Sequence, residues 1–283
     1  MKAFKKIASA AAASVLLMAA ASSVQAASLD TTSAALNDGV LQNFTGIDWH
    51  GNGAGWIQGF NLTSANTIGD SDTFTFTYQA FATSIASTSP TPNLRVAPPG
   101  AATGGYELTT YAVLTETATC QDVGCSTIKI ATNSGSFQIF FDNSPDANQA
   151  SGTGFTDGVQ ILAGTFQGGV STFGTFMVGP MTFGSGGAFL VGTVTSTNSA
   201  YVNPNLLGTT LQASLQFPGQ PAPFYTRPAA FQANATGADT AENFVLQTDT
   251  SQTFSVAVPE PASAFLFGIG FMGMAVYRRR KQG

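Results

Sequence analysis

A run of oxygen-bearing side chains in the middle of the chain has a spacing that suits a metal ion. The candidate ligands are Asp142, Ser144, Asp146, Asn148 and Asp157. The first four follow one another at every second residue, as the ligands do at the start of a calcium-binding loop. The sixth and twelfth positions of such a loop need a glycine and a bidentate glutamate, but Ala147 and Thr153 stand there. Calcium binding and a plain series of Asx turns therefore both stay open.

Carboxylates are also the candidate catalytic groups. Glycoside hydrolysis needs two carboxyl groups about 5–9.5 Å apart. The candidates for such a pair are Glu107, Glu116, Asp142 and Asp157. Nothing in their spacing marks two of them as partners. We predict that the protein is not an enzyme, and a secreted carbohydrate-active enzyme is the competing hypothesis.

The single histidine and the two tryptophans lie close together in a glycine-rich stretch. His50 follows Trp49, and Trp56 comes six residues later. One histidine cannot build a histidine-rich zinc site, and the chain contains no Gly-x-Ser-x-Gly elbow of a serine hydrolase. Indole rings can stack on sugars or fill a core. A carbohydrate-binding module is therefore an alternative, favoured if either tryptophan lies exposed beside a groove.

The two cysteines, Cys120 and Cys125, flank four residues between two strand-like runs. An exported chain meets an oxidising compartment, and two cysteines with none left over predict one local disulfide. Redox catalysis would need a Cys-x-x-Cys motif in a βαβ context, which this sequence lacks. We therefore predict a structural disulfide across a hairpin.

The elements that position these residues are predicted to be strands. Thr73-Phe74-Thr75-Phe76-Thr77-Tyr78 alternates hydroxyl and aromatic side chains, which is the pattern of a half-buried strand. Short runs of this kind recur, and clusters such as Asn133-Ser134-Gly135 and Gly184-Ser185-Gly186-Gly187 separate them as predicted turns. The pattern predicts an all-β core over residues 27–255, folded as an antiparallel β-sandwich or jelly roll.

Charge is distributed unevenly. Residues 27–258 hold fourteen acidic and three basic residues, a formal charge of −11, whereas the other seven basic residues lie near the two ends of the chain. An anionic surface repels nucleic acid phosphates, so nucleic acid binding is excluded.

Residues 1–26 have the features of a secretory signal peptide. Lys2, Lys5 and Lys6 precede an apolar run too short to span a membrane stably, and small residues follow it. Cleavage is predicted between Ala26 and Ala27, so the mature core lies outside the cytosol.

Residues 256–283 combine three features that address the chain to a membrane. Val258-Pro259-Glu260-Pro261 is predicted to be extended, because its prolines oppose a helix, and Glu260 gives it a negative charge. Ala262 to Tyr277 is a run of sixteen uncharged residues that predicts a thin transmembrane helix, about 24 Å long against a hydrocarbon layer of about 30 Å. A basic cluster then keeps the chain's end in the cytoplasm. Its members are Arg278, Arg279, Arg280 and Lys281.

This arrangement resembles the PEP-CTERM sorting signal. The resemblance implies recognition at Pro259-Glu260-Pro261 by an exosortase, a membrane-embedded transpeptidase that removes the anchor and releases or attaches the core. The stretch from Ile139 to Leu162, with Asn243 to Asp249, is similar to the flocculation-associated PEP-CTERM proteins. That similarity implies a matrix protein of a Gram-negative bacterium, made with exopolysaccharide and active in floc or biofilm formation.

The sequence thus predicts an exported protein that an exosortase transfers from the inner membrane to the cell surface or matrix. Its predicted partners are the exosortase and an exopolysaccharide or matrix protein. No cofactor is predicted, and calcium binding by the acidic loop is the alternative that stays open.

Overall fold

The computed structural model describes residues 27–63, 65–95, 105–178, 181–217 and 242–255. All of them belong to one compact unit that ends at Ser255. The predicted signal peptide with Ala26, and the predicted sorting region of residues 256–283 with its helix, lie outside the described residues.

Twelve strands make up the described chain, in which no helix occurs. They are β1 (Ala27–Asp30), β2 (Val40–Phe44), β3 (Gly46–Trp49), β4 (Gly53–Gln58), β5 (Ser71–Ala86), β6 (Glu107–Cys120), β7 (Thr127–Asp142), β8 (Val159–Val178), β9 (Met181–Thr197), β10 (Val202–Asn203), β11 (Thr210–Phe217) and β12 (Asn243–Ser255). Nowhere in these residues is there a helix of the length and apolarity that a membrane crossing needs.

Nine of the strands form one antiparallel sheet that closes into an eight-stranded barrel. The order is β11, β9, β8, β7, β6, β5, then β3 with β4, then β12, which pairs with β11 and completes the circle. β3 and β4 share one position, because each pairs with β5 on one side and with β12 on the other. A turn at residues 50–52 separates them.

The all-β prediction is confirmed, but the arrangement differs from the predicted β-sandwich or jelly roll. The long strands form one closed sheet and not two stacked sheets. Inward apolar and outward polar residues alternate in both architectures, so the alternation cannot distinguish them. The barrel is closed by the pairing of β11 with β12, whose connection, residues 218–242, carries no local signal of that pairing.

The two ends of the barrel differ. The closed end is defined here as the end where β6 begins and β7 finishes. A three-stranded sheet of β10, β1 and β2 packs there. The ring of Phe44 in β2 lies 5.3 Å from that of Phe254, and the rings of Tyr201 and Phe141 are 5.1 Å apart. The opposite end, the hairpin end, holds the β6–β7 turn with Cys125.

The two glycine-containing segments predicted as turns lie inside strands. Asn133-Ser134-Gly135 is part of β7, and Gly184-Ser185-Gly186-Gly187 is part of β9, so these strands are longer than the predicted runs. The physical reason is close packing against aromatic rings. A Cβ atom on Gly184 would overlap the ring of Phe173 in β8. Here glycine marks a place where a backbone and a ring approach closely, which is a common role of glycine inside strands.

We expect glycines of β8 to differ in their tolerance of a methyl group. In Gly164→Ala, the new Cβ meets the Thr193 carbonyl oxygen and the buried Phe137 ring, so the substitution should cost about 1–3 kcal/mol of unfolding free energy. Gly168→Ala is the matched control, because no heavy atom lies within 4 Å of its Cβ position. Urea unfolding measures both. Equal effects of the two substitutions would contradict the packing argument.

Candidate functional site

Three carboxylates meet at the closed end of the barrel. Glu107 is the first residue of β6 and pairs in register with Asp142, the last residue of β7. Asp146 follows in the loop after β7. One oxygen from each of the three lies within 4.8 Å of the others, a separation that a single cation could bridge. We call Glu107, Asp142 and Asp146 the acidic cluster.

Arg95 supplies a positive charge to this cluster. Its Nη1 forms an ion pair with Oε2 of Glu107, whose side chain is fully buried. Its Nη2 donates to the carbonyl oxygen of Ala147 at 3.2 Å, and its Cζ lies 3.6 Å from the centre of the Phe81 ring. The other oxygen of Glu107 accepts the backbone N–H groups of Asp146 and Ala147, both at 2.9 Å. Both oxygens of Glu107 are therefore occupied.

Burial, and to a smaller extent neighbouring negative charge, raises the pKa values of two carboxyls in the cluster. Burial raises the pKa of Glu107, and the Ala147 N–H and the Arg95 guanidinium partly offset that rise. Burial raises the pKa of Asp146 as well, and the neighbouring charges of Asp157 and Asp142 add to it. The arrangement therefore attracts cations, and Arg95 already provides one.

The predicted calcium ligands are only partly brought together. Asp142 and Asp146 lie in the acidic cluster, and Asp157 lies near enough to influence Asp146 by its charge. Ser144 donates its backbone N–H to Oδ1 of Asp142 at 2.8 Å, which forms an Asx turn. The side-chain oxygen of Asn148 accepts the N–H groups of Ala150 and Ser151. Calcium binding stays a prediction, and Glu107 is the neighbour that the spacing argument missed.

The candidate catalytic carboxylates lie in two different places. Glu107 and Glu116 lie on the same strand nine residues apart, which corresponds to about 30 Å. Asp142 is close to Glu107, but both oxygens of Glu107 already have partners. Asp157 is exposed. Of these four groups, Glu107 and Asp142 lie close together, and Glu116 lies far from them.

The aromatic stretch around His50 is part of the barrel wall. Trp49 ends β3 and is 1% exposed, so its indole cannot stack on a sugar. Trp56 lies in β4 and is half-buried. His50 occupies the turn between these strands, where its ring centre lies 4.5 Å from that of Phe81 and its Nδ1 accepts the N–H of Asn52. Burial and the nearby Arg95 lower its pKa.

The predicted disulfide is present. Cys120 is the last residue of β6, and it is bonded to Cys125 in the turn that leads to β7. The Asp122 carboxylate lies within this turn and accepts the backbone N–H groups of Ser126 and Thr127. The bond therefore closes the β6–β7 hairpin, as the sequence predicted.

Glu116 lies inside the barrel, far from the acidic cluster. It is 7% exposed and pairs across the sheet with Thr132, whose hydroxyl donates to Oε1 at 3.0 Å. Burial raises the pKa of its carboxyl to about 7. The sequence marked this residue as a candidate carboxylate but gave no sign of its burial.

We expect Glu116→Gln to stabilise the protein at alkaline pH. The pKa in the folded state, about 7, lies above the ordinary 4.5, so the folded state holds the extra proton between these values. Stability from this group is therefore greatest below pH 4.5 and falls as pH rises towards 7, a loss of about 3 kcal/mol by pH 8. In urea unfolding, the variant should have a larger free energy of unfolding than the native protein at pH 8 and a similar one near pH 4.5. Glu242→Gln, at an exposed carboxylate, is the control, and a difference independent of pH would contradict the argument.

Removal of Arg95 should destabilise the closed end. Arg95→Met keeps the packing of the side-chain stem but leaves the Glu107 carboxylate buried without its cation. Breaking a buried pair in this way costs about 3–5 kcal/mol, and the partial exposure of Arg95 places the expected loss near 3. Lys129→Met, at the other basic residue of the described chain, is the control. A loss below about 1 kcal/mol in urea unfolding would show that the pair is dispensable.

Comparisons with known proteins give one match. Residues 257–281 match the family model of the PEP-CTERM protein-sorting motif. Nothing among the curated proteins or the solved structures matches this chain. The matched range contains Val258-Pro259-Glu260-Pro261 and the basic cluster Arg278 to Lys281, which lie outside the described residues. The chain therefore carries a PEP-CTERM sorting signal, and it is an exported protein that an exosortase processes at the membrane.

Proposed function

We propose that this protein is a non-enzymatic component of the bacterial cell surface or extracellular matrix that contributes to floc or biofilm formation with exopolysaccharide. The observation that carries the proposal is the sorting motif over residues 257–281. A chain that is exported, anchored and then cut from its anchor is delivered to the outside of the cell. There, the folded core is the part that acts.

The charge of the core supports contact with anionic polymers through divalent cations. Residues 27–258 have a formal charge of −11. In the described chain the basic residues are Arg95 and Lys129, and Arg95 is paired with Glu107. Direct binding of acidic polysaccharide by such a surface is disfavoured, whereas cations that bridge two anionic surfaces favour association.

The geometry of the carboxylates supports a role without catalysis. A glycosidase needs one carboxyl as acid and another as base or nucleophile, on either side of the scissile bond. Glu107 is held by Arg95 and two backbone N–H groups, and Glu116 is about 30 Å away on the same strand. The buried indole of Trp49 likewise argues against the carbohydrate-binding module that exposed tryptophans would have favoured.

Replacement of Pro259-Glu260-Pro261 by three alanines should prevent processing. Mass spectrometry of the protein from cells that contain the exosortase should find a shortened C-terminus in the native chain and an intact one in the variant. The control is Glu242→Ala, because it removes an exposed glutamate outside the motif and leaves both β12 and the motif intact. An intact C-terminus in the native chain, with and without the exosortase, would end the sorting hypothesis.

The cation-bridging part of the proposal has its own test. Chelation of divalent ions should disperse cell aggregates that contain the protein, since the anionic cores would then repel one another. Aggregates of a strain that lacks the protein should be weaker from the start and insensitive to the chelator. Equal dispersal of both strains would exclude this protein as the bridged component.

A further inference from the structure

At the hairpin end, the described residues leave part of the barrel interior unfilled. A cavity of about 370 Å³ lies there. Residues from all eight strand positions of the barrel line it, so it is the lumen itself. They are Ile57, Phe74, Phe76, Glu116, Ile128, Ile130, Phe173, Thr175, Gly184, Phe217, Phe244 and Leu246. The volume falls in the range of small-molecule sites, and eight strands give the smallest common barrel that can hold one ligand.

The cavity wall is predominantly apolar and aromatic. Phe217 meets the rings of Phe76 and Phe173 edge to face, with centres 6.1 and 5.9 Å apart. Phe60 contacts Phe74 and Phe244 in the same way. Such interlocked rings form a rigid surface, because each ring restricts the rotation of the next.

This wall leaves apolar surface uncovered. Five of its large side chains are only half-buried, although they face the lumen. They are Phe60, Leu62, Phe173, Phe244 and Leu246. At the closed end, by contrast, Phe137, Phe141 and Leu108 are at most 2% exposed. Apolar surface of this kind is stabilised when a ligand removes it from water.

A carboxylate lies in the wall of this predominantly apolar space. Glu116 lies in the inward row of β6, where Leu114 and Ala118 are its buried neighbours. Its Oε1 accepts the Thr132 hydroxyl, but none of the described residues donates a hydrogen bond to its Oε2. A buried carboxylate normally has more partners than one hydroxyl, because the cost of its desolvation is large. The missing donor is what a ligand would supply.

We propose that the hairpin end of the lumen binds a small, predominantly apolar molecule with one hydrogen-bond-donating head group, an amine above all, which Glu116 accepts. The apolar part fills the space between the aromatic walls, and the head group completes the hydrogen bonding of the carboxylate. A carboxylate head group would place two anions together, and a head group without a donor would leave Oε2 unpaired. The site therefore selects ligands by charge as well as by size.

Octylamine, octanol and octanoate test this proposal, because they share one alkyl chain and differ in the head group. Isothermal titration of the purified protein at pH 8 should give one saturable site for octylamine and at least tenfold weaker binding of octanoate. Glu116→Gln should remove most of the advantage of octylamine over octanol and change the affinity for octanol by less than about threefold. Equal affinity for octylamine and octanoate, or an unchanged preference in Glu116→Gln, would refute the assigned head group.

Cavity-filling variants locate the site. Ile130→Trp and Leu246→Trp introduce an indole from opposite sides of the lumen, and each should abolish binding of octylamine and octanol. Val170→Trp is the control, because Val170 is 60% exposed on the outside of β8. Circular dichroism identifies a filled variant that has failed to fold, and the second variant then provides the test. Octylamine binding that survives in a folded filled variant, or that is absent from the native protein, would overturn the proposal.

Discussion

Closure of the sheet by β12 is the constraint on which the rest of the molecule depends. The first half of β12 pairs with β4, and its second half pairs with β3 and with β11. This strand joins the two sides of an otherwise open sheet, so no long edge is left to pair with other chains. It also converts one face of every strand into an interior. In an open sheet, the Glu116 carboxylate on the inward row of β6 would be exposed to water and not buried.

Filling the interior requires rings and backbones to approach closely. Phe137 lies over Gly164, and Phe173 lies over Gly184, where a Cβ atom would leave no space for the ring. Within these strands, glycine next to phenylalanine is therefore a packing feature and not a sign of a loop. The closed end is packed in this way and is further covered by the three-stranded sheet. At the hairpin end, the described residues place rings on the walls but no side chain at the centre, and a cavity remains there.

Local patterns predicted what is local. Alternation identified β5, and two cysteines around four residues identified the β6–β7 hairpin and its disulfide. These local patterns did not predict non-local features, above all the pairing of β11 with β12 that closes the barrel. The pairing of Glu107 with Asp142 shows the difficulty most clearly. Counting back from Cys120 and Ile128 without the bulge near Thr115 would place Glu107 opposite Phe141. A slip of one residue reverses the face of every side chain, so the acidic cluster could not be derived from spacing.

The two glutamates of β6 show how one strand serves two purposes. Glu107 is paired with the guanidinium of Arg95 and accepts two backbone N–H groups, so its charge is compensated within the fold. Glu116 accepts a hydrogen bond from one hydroxyl, that of Thr132, and the described residues do not otherwise offset the desolvation cost of its carboxylate. The turn that contributes Gly124, Cys125 and Ser126 to the cavity is closed by the Cys120–Cys125 disulfide. Such a bond forms in the oxidising environment that an exported chain enters, so the rim of the lumen acquires its final covalent form only after export.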